Sequence, residues 1–396
     1  MDITQALPLL GGISPERFMK QYWQKKPLLI RQAIPQKQPL LDRAALFDLA
    51  ASEEVESRLI EQKATPGAKA KSASKKPKGS AWRMRHGPFE RRALPALKQP
   101  GWTLLVQGVN LHVDAVDALM QQFRFVPDAR LDDVMISYAS EGGGVGPHFD
   151  SYDVFLLQAH GQRRWQIGAQ KDLSLQEGAP LKILASFEPE QTWVLEPGDM
   201  LYLPPRYAHD GVAVSADCMT YSVGFRAPKQ AELGQEILQR LAEDLSDAPE
   251  LLYKDRGQSA VSEPARLPEG LTAFAKQALQ AALKDPLALA RSLGEYLTEP
   301  KAQVWFDELD DDHGLVQIAE MGGVELDRRS RMMFDDRHIF INGESYLAAG
   351  RDARLMRQLA NDRAISDKDW RAASEGAREL MLDWCMSGWL RVRAQP

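Results

Sequence analysis

The sequence predicts an α+β fold: a β-sandwich or β-barrel with a helical segment before it, helices after it and a winged-helix-like module at the end. Short apolar strands separated by Gly/Pro turns occupy residues 99–228, a pattern typical of sandwiches and barrels. Leucines at helical spacing follow between 233 and 297, and residues 301–396 mix short strands with helical stretches. The predicted domains are therefore 1–228, 229–300 and 301–396.

The composition is that of a globular protein with no general affinity for polyanions. The 396 residues are 44% hydrophobic and 26% charged with a net charge of −6, which attracts neither nucleic acid nor anionic membrane. The two cysteines, Cys218 and Cys385, are too few for a disulfide framework or a zinc site and fit a reducing cytoplasm. Because the start lacks a secretion signal and no 18-residue apolar run occurs, we expect a cytoplasmic protein without a membrane span.

The first ninety or so residues read as a helical preface. Ser14-Pro15 marks a helix start and Leu28–Ile30 a short strand. Residues 63–80 contain six lysines, no acid and very little apolar side chain, so a disordered Lys-rich surface loop is predicted there. This loop is either a solubilising insert or an arm that contacts RNA phosphates.

Seven strands are predicted between 99 and 228, each of them short and bounded by turn residues. They are Trp102–Gln107, Val134–Tyr138, Val154–Gln158, Arg163–Ile167, Thr192–Leu195, Met200–Leu203 and Met219–Phe225.

The remainder of the chain is predicted to form helices and then a small mixed module. The aliphatic surface of the helices in 229–300 is either a homodimer interface or a cover for the barrel. In 301–396, Met332–Phe334 and Ile339–Ile341 read as strands, and Asn342-Gly343 is a tight-turn signal. This region holds 14 basic against 18 acidic residues, so we expect a structural or protein-contact domain that binds no DNA.

The most informative motif is His148-Phe149-Asp150 together with a distant histidine, His209. Glycines and Pro147 precede the first histidine, and a turn, a short strand and a second turn precede His209. On a strand, residues two apart point to the same face. Two histidines and one carboxylate form the ligand set of non-haem Fe(II) oxygenases. The alternative is that the histidines only cap turns in a β-rich domain.

Arg163 is predicted to carry a charge into the interior. On the strand Arg163–Ile167 it shares a face with Trp165 and Ile167, and that apolar face should point inward. An unpaired guanidinium there costs several kcal/mol, so it needs an anionic partner. The partner is either the carboxylate of a cosubstrate, held bidentately, or an inward Asp or Glu.

Two other strands carry polar residues on a single face. Asp133, Met135 and Ser137 alternate along one strand and so lie on one of its faces. Thr220, Ser222 and Gly224 do the same on another strand. These faces line a cavity within the barrel or, alternatively, point to solvent.

Several of these segments together resemble the JmjC-type ribosomal oxygenases of the cupin superfamily, and the resemblance covers nearly the whole chain. The segments are Gly142–Asp150, Tyr152–Phe155, Gly161–Trp165, Pro197–Asp199, Pro204-Pro205, Tyr221–Pro228, and in the preface Trp23–Pro27 and His86–Phe89.

The resemblance implies a double-stranded β-helix barrel that holds Fe(II), uses 2-oxoglutarate and O2 as cosubstrates, and hydroxylates an arginine of a ribosomal protein. His148, Asp150 and His209 match the metal ligands. Arg163 matches the residue that binds the distal carboxylate of 2-oxoglutarate, and Ser137 matches a second contact to it. Two further positions match contacts to the substrate guanidinium, and the helices of 229–300 match the homodimerisation region. Those two positions are Asp133 and Ser222.

Other activities fit the same residues. Within the family they are histidine hydroxylation and lysine demethylation, which the spacing does not distinguish from arginine hydroxylation. Outside it they are a metal-binding cupin of non-oxygenase chemistry, such as a zinc isomerase or hydrolase, and a non-enzymatic interaction protein that uses the acidic C-terminal module.

Overall fold

The computed structural model describes residues 2–35, 39–62, 82–246, 251–283, 286–308 and 323–393. The chain forms two compact units, Met1–Ala227 and Pro228–Pro396. The Lys-rich segment 63–80 lies outside the described residues, so both interpretations of it stay predictions. Within the described ranges, no helix has both the length and the apolar character needed to cross a bilayer.

Three α-helices form the preface and the flank of the first unit, and their starts are encoded locally. Ser14 accepts a hydrogen bond from the backbone N–H of Arg17, and Asp42 accepts one from Ala45; such caps satisfy amides that the first helical turn leaves unpaired. The helices are α1 (Pro15–Gln21), α2 (Arg43–Ala51) and α3 (Asp114–Gln121).

Eleven strands of the first unit build two antiparallel sheets. They are β1 (Leu28–Ile30), β2 (Ser57–Gln62), β3 (Trp82–His86), β4 (Trp102–Val106), β5 (Leu131–Ala139), β6 (Val154–His160), β7 (Arg163–Gly168), β8 (Gln191–Leu195), β9 (Met200–Leu203), β10 (Ala208–Ala213) and β11 (Cys218–Phe225). The larger sheet has the order β1-β9-β6-β11-β5-β4-β2-β3, and the smaller has the order β10-β7-β8. This is the JmjC/cupin barrel that the sequence predicts.

Strand alternation divides the larger sheet into two chemically different faces. On β11, Tyr221 and Val223 belong to a large core that also contains Phe18, Phe47 and Leu119 of the preface and α3. The intervening Ser222 faces a cavity inside the barrel. Because side chains alternate at every strand residue, burying one face against helices turns the other toward the barrel interior.

The seven strands predicted between 99 and 228 are all present, with ends shifted by up to three residues. Two strands outside that range, β2 and β3, flank the Lys-rich segment and were not predicted, because charged residues such as Arg58 and Glu61 interrupt their apolar pattern. Strand β10 was also missed, and His209 lies within it rather than after a turn. Its small residues carry little β-propensity, and its pairing with β7 is what makes it a strand.

The second unit contains, in its described part, six helices and two three-stranded antiparallel sheets. The helices are α4 (Gln230–Ser246), α5 (Glu269–Ala282), α6 (Pro286–Thr298), α7 (Gly350–Asp362), α8 (Asp367–Ala372) and α9 (Glu375–Met386). The strands are β12 (Val324–Leu326), β13 (Met332–Phe334), β14 (His338–Ile341), β15 (Glu344–Leu347), β16 (Ala364–Ile365) and β17 (Leu390–Val392). The two sheets have the orders β16-β12-β17 and β13-β14-β15.

The predicted tight turn between β14 and β15 is confirmed. Asn342 and Gly343 have φ angles of 48° and 92°, and positive φ at both central residues is what a two-residue hairpin requires. Helices α7 and α9 pack their buried residues, including Leu359 and Trp384, against these strands. Helices around a three-stranded hairpin sheet form the winged-helix domain that the sequence predicts.

Gly211 of β10 is required by the close approach of an aromatic ring. A Cβ at this position would lie 2.5 Å from the indole of Trp165 on the neighbouring β7. We expect Gly211→Ala to lower the free energy of unfolding by about 1–3 kcal/mol, the usual cost of overpacking a core. Urea titration measures this. The control is Gly376→Ala in α9, where a Cβ meets no atom within 4 Å; unfolding at the same denaturant concentration for both variants would contradict the argument.

Candidate active site

His148, Asp150 and His209 meet at one point of the barrel. One ligand atom from each lies within 4.8 Å of the others. The Nε2 atom of His209 is 3.6 Å from an oxygen of Asp150, and the two imidazole centroids are 4.2 Å apart. The geometry therefore brings together the three residues that the sequence predicts as metal ligands.

Backbone hydrogen bonds hold the two ligand segments together. The N–H of His148 donates to the carbonyl of His209 at 2.9 Å, and the N–H of His209 donates back at 2.8 Å. The N–H of Arg206 donates to the carbonyl of Asp150 at 2.7 Å. The expectation that His148 and Asp150 lie on a regular strand is wrong: the segment makes one isolated bridge. Its glycine-rich approach curves too tightly to continue a ladder.

Both imidazoles present the same nitrogen to the centre. The Nδ1 atom of His148 lies 2.9 Å from the carbonyl oxygen of Gly146, and that of His209 lies 2.9 Å from the carbonyl of Tyr207. A carbonyl only accepts, so each Nδ1 carries the proton and each Nε2 keeps its lone pair. This is how proteins orient metal-binding histidines.

Burial keeps His209 neutral. Its side chain is 2% exposed, and desolvation, followed by the nearby His148, lowers its pKa to about 4. A neutral imidazole is the form that binds a metal ion. His209 therefore needs no deprotonation at neutral pH before binding.

This pKa predicts how the metal-free protein responds to acid. The pKa of His209 is about 4 in the folded protein and has its ordinary value of 6.5 in the unfolded chain. The unfolded chain therefore takes up the proton first, and stability falls as pH falls from 6.5 toward 4. Between pH 7 and pH 5 the loss is about 2 kcal/mol. Urea titrations of the metal-free wild type and of His209→Gln measure the difference; equal pH dependence in the two proteins would contradict it.

Arg163 lies inside the barrel, as predicted, and the carboxylate of Asp210 is near enough to interact with its charge. The residue is 3% exposed, and its Nε and Nη2 atoms are buried without a hydrogen-bond partner in the described structure. The guanidinium lies over the ring of Trp165, 5.7 Å from its centroid. Among the described residues, no Asp or Glu accepts a hydrogen bond from Nε or Nη2 of Arg163. Although Asp210 interacts with its charge, these unsatisfied donors favour an anionic ligand as the partner.

Arg163 lies on the strand that pairs with the His209 strand. His209 pairs with Ile167, and Arg163 is four residues earlier on β7, which is a rise of about 13 Å. The side chain of Arg163 and a short dicarboxylate bound at the triad together fill a gap of this size.

The three ligands and Arg163 line a common cavity of about 350 Å³. Asp133, Ser137 and Ser222 also line it. The polar faces of β5 and β11 therefore point into a cavity, and the alternative that they point to solvent is wrong. Ser137 is 4% exposed and its hydroxyl donates to the carbonyl of Thr220 at 3.4 Å. Asp133 is 3% exposed and accepts hydrogen bonds from Gln107 at 2.9 and 3.2 Å.

Sequence reasoning missed several residues of this cavity. Arg58, Gln107, Tyr152 and Lys182 contribute to its wall. Arg58 belongs to β2, which was not predicted, and Gln107 comes immediately after β4. Neither residue lies near a motif, so only the pairing of β2, β4 and β5 brings them to the site.

The donor set fits a divalent metal ion and a dicarboxylate. Two imidazole nitrogens and one carboxylate on one side of a metal leave its other positions open. A buried arginine with unsatisfied donors, deeper in the same cavity, fits the planar carboxylate geometry.

Comparison with known proteins agrees with this architecture. Residues 118–233 match the family model of the JmjC domain, and residues 281–391 match that of the ROXA-like winged helix. The ribosomal protein uL16 3-hydroxylase of Escherichia coli is 39% identical over 219 residues, 54% of this chain and 53% of that protein. The alignment thus spans about half of that relative. A probable ribosomal oxygenase of Haemophilus influenzae is 29% identical over 96% of both chains.

Solved structures extend the likeness to nearly the whole chain. The X-ray structure of Escherichia coli YcfD has a TM-score of 0.79 at 27% identity and covers 95% of this chain and 97% of its own. The ribosomal oxygenase YcfD in complex with cobalt and 2-oxoglutarate has a TM-score of 0.76 at 28% identity, with the same coverage. The chain therefore contains a region that matches the JmjC domain and one that matches the ROXA-like winged helix, and it is similar to ribosomal oxygenases over nearly its whole length.

Proposed function

We propose that the protein is an Fe(II)- and 2-oxoglutarate-dependent oxygenase that hydroxylates an arginine side chain of ribosomal protein uL16. The observation that carries this proposal is the convergence of His148, Asp150 and His209 in one cavity with the unpaired guanidinium of Arg163. The similarity to a uL16 3-hydroxylase and to a structure that binds cobalt and 2-oxoglutarate supports it.

In this proposal each side of the cavity has its own task. His148, Asp150 and His209 hold the metal, and Arg163 with Ser137 binds the far carboxylate of 2-oxoglutarate. Bound Fe(II) supplies the activation of O2 as 2-oxoglutarate, O2 and a substrate C–H bond become succinate, CO2 and C–OH. The protein's contribution is to position these reactants.

Asp133 and Ser222 are proposed to receive the substrate. Arginine stays charged at every relevant pH, and a buried carboxylate and a hydroxyl on the same cavity wall are suitable acceptors for its N–H groups. Arg163 lies on another strand, so the cation-binding and anion-binding parts of the cavity are separate.

The decisive experiment is incubation of the protein with purified uL16, Fe(II) and 2-oxoglutarate, followed by peptide mass spectrometry. One added oxygen on an arginine supports the proposal. Addition to a histidine, or loss of a methyl group from lysine in a histone peptide, would replace it by one of the other family activities. Absence of succinate with either substrate would leave a metal-binding cupin of other chemistry or an interaction protein.

We also propose a homodimer formed through 229–300 in a cytoplasmic enzyme. Exposed leucines on α4 and α5 support the interface: Leu238, Leu279 and Leu283 are 58%, 62% and 62% exposed, an unusual concentration of apolar surface. Sedimentation equilibrium of the wild type and of Leu279→Lys tests it. A monomer in the wild type would overturn the dimer and leave the oxygenase proposal intact.

The domains 1–228, 229–300 and 301–396 are proposed as the functional division of the chain. The last of them is acidic, so we propose a structural or protein-contact role without DNA binding. RNA contact by 63–80 stays a prediction, which deletion of that segment and salt-dependent RNA binding would test.

A further inference from the structure

Gln107 connects a cation and a carboxylate on the wall of the active-site cavity. Its Nε2 atom donates to both oxygens of Asp133, at 2.9 and 3.2 Å. Its Oε1 atom accepts a hydrogen bond from Nη2 of Arg58 at 3.2 Å. All three residues line the cavity. Gln107 follows β4, and Arg58 and Asp133 come from β2 and β5, which pair with β4 on either side.

Arg58 determines which way the amide of Gln107 points. A guanidinium has donors only, so the group of Gln107 that faces it must be the carbonyl oxygen. The amino group, with its two donors, must then face Asp133. The backbone supports the arrangement, because the N–H of Gln107 donates to the carbonyl of Glu56 at 2.9 Å, and Glu56 lies 3.7 Å from Arg58.

An amide holds the carboxylate of Asp133 without adding charge. A lysine or arginine in place of Gln107 would form an ion pair with Asp133 and occupy the carboxylate that a cationic substrate needs. The neutral amide instead donates to both oxygens of Asp133, which is 3% exposed, and brings no positive charge of its own. The arrangement therefore suits a pocket in which the carboxylate is oriented before a cation binds.

We propose that Gln107, itself oriented by Arg58, is the positioning residue that fixes the orientation of the Asp133 carboxylate for a guanidinium substrate. The inference rests on the proposed function for the identity of the substrate. Gln107 acts through Asp133 and has no role in the binding of metal or 2-oxoglutarate.

The test measures the affinity of the cobalt-loaded protein for purified uL16 by titration calorimetry, in the presence of 2-oxoglutarate and without Fe(II). Gln107→Leu is expected to weaken uL16 binding 10- to 100-fold at pH 7, while the affinities for Co(II) and 2-oxoglutarate stay unchanged. The matched control is Gln121→Leu, which removes an amide–carboxylate bond of 2.9 Å to Asp117 outside the cavity and should leave all three affinities unchanged.

A double-mutant cycle separates positioning of the Asp133 carboxylate from a general structural role of Gln107. In an Asp133→Asn background the Leu substitution should have no added effect, because coupled residues are not additive.

Equal uL16 binding by the wild type and Gln107→Leu would overturn the inference, as would full additivity with Asp133→Asn. Failure of the proposed function has a different signature. In that case wild-type protein with Fe(II), 2-oxoglutarate and O2 adds no oxygen to uL16, whatever the binding measurements show.

Discussion

Asp150→Ala is expected to reduce 2-oxoglutarate turnover below detection and to lower the affinity for Co(II) by more than about 100-fold. Loss of a group that only orients a metal ligand already lowers metal affinity or activity 10- to 100-fold. Asp150 would be a ligand itself, and it is the only carboxylate of the triad. The measurements are succinate release with Fe(II) and the visible absorption of bound Co(II).

The fold of Asp150→Ala should survive, because the backbone bonds that hold its segment do not use the carboxylate. Circular dichroism and urea titration check this. Glu177→Ala, which removes an exposed carboxylate on the loop between β7 and β8, should retain full turnover and Co(II) binding. Substantial turnover by a folded Asp150→Ala protein would remove the facial-triad interpretation.

Arg163→Met is expected to raise the KM for 2-oxoglutarate roughly 10- to 100-fold. The variant loses a charge-assisted contact worth about 1.5–3 kcal/mol, and each 1.4 kcal/mol corresponds to about a factor of ten. Steady-state succinate formation at saturating Fe(II) measures the change. The substitution should change KM more than kcat, because the three metal ligands remain in place.

The same substitution should not destabilise the ligand-free protein. Arg163 is 3% exposed with two unpaired donors, and exchange of a buried charge for an apolar side chain of similar length is often neutral or stabilising. Thermal melting with and without 2-oxoglutarate separates the two effects: at one ligand concentration, the ligand should raise the Tm of the wild type more than that of Arg163→Met. A variant that melts earlier in both conditions, with an unaltered KM, would show that Arg163 has a structural partner.

The sequence predicts the parts of this protein that depend on local pattern. The strands Met200–Leu203 and Leu28–Ile30 and the Asn342-Gly343 turn are found as predicted, because alternation, apolar runs and turn residues act over a few positions. The inward direction of the Arg163 side chain follows from the alternation of side chains along its strand. The sequence motif and the family resemblance predict His148, Asp150 and His209 as metal ligands, and the fold brings these three residues together.

What sequence pattern does not reveal is pairing between distant segments. Strand β10 is held by its direct pairing with β7, which is distant in sequence, and its own residues, which include Gly211, do not favour a strand. The approach of Gln107 and Arg58 to Asp133 depends on the register of β2, β4 and β5. Such contacts depend on long-range packing, so no sequence motif near Gln107 or Arg58 predicts them.

The reciprocal backbone bonds between His148 and His209 bear on which metal the protein acquires in the cell. Both imidazoles are oriented before any metal ion binds, so copper, nickel and zinc ions encounter the same preorganised ligands as iron does. Ions later in the first-row series bind such ligands more tightly than Fe(II). Correct loading is then governed by the intracellular supply of each ion, and overexpression in nickel- or zinc-rich medium should yield mismetallated protein.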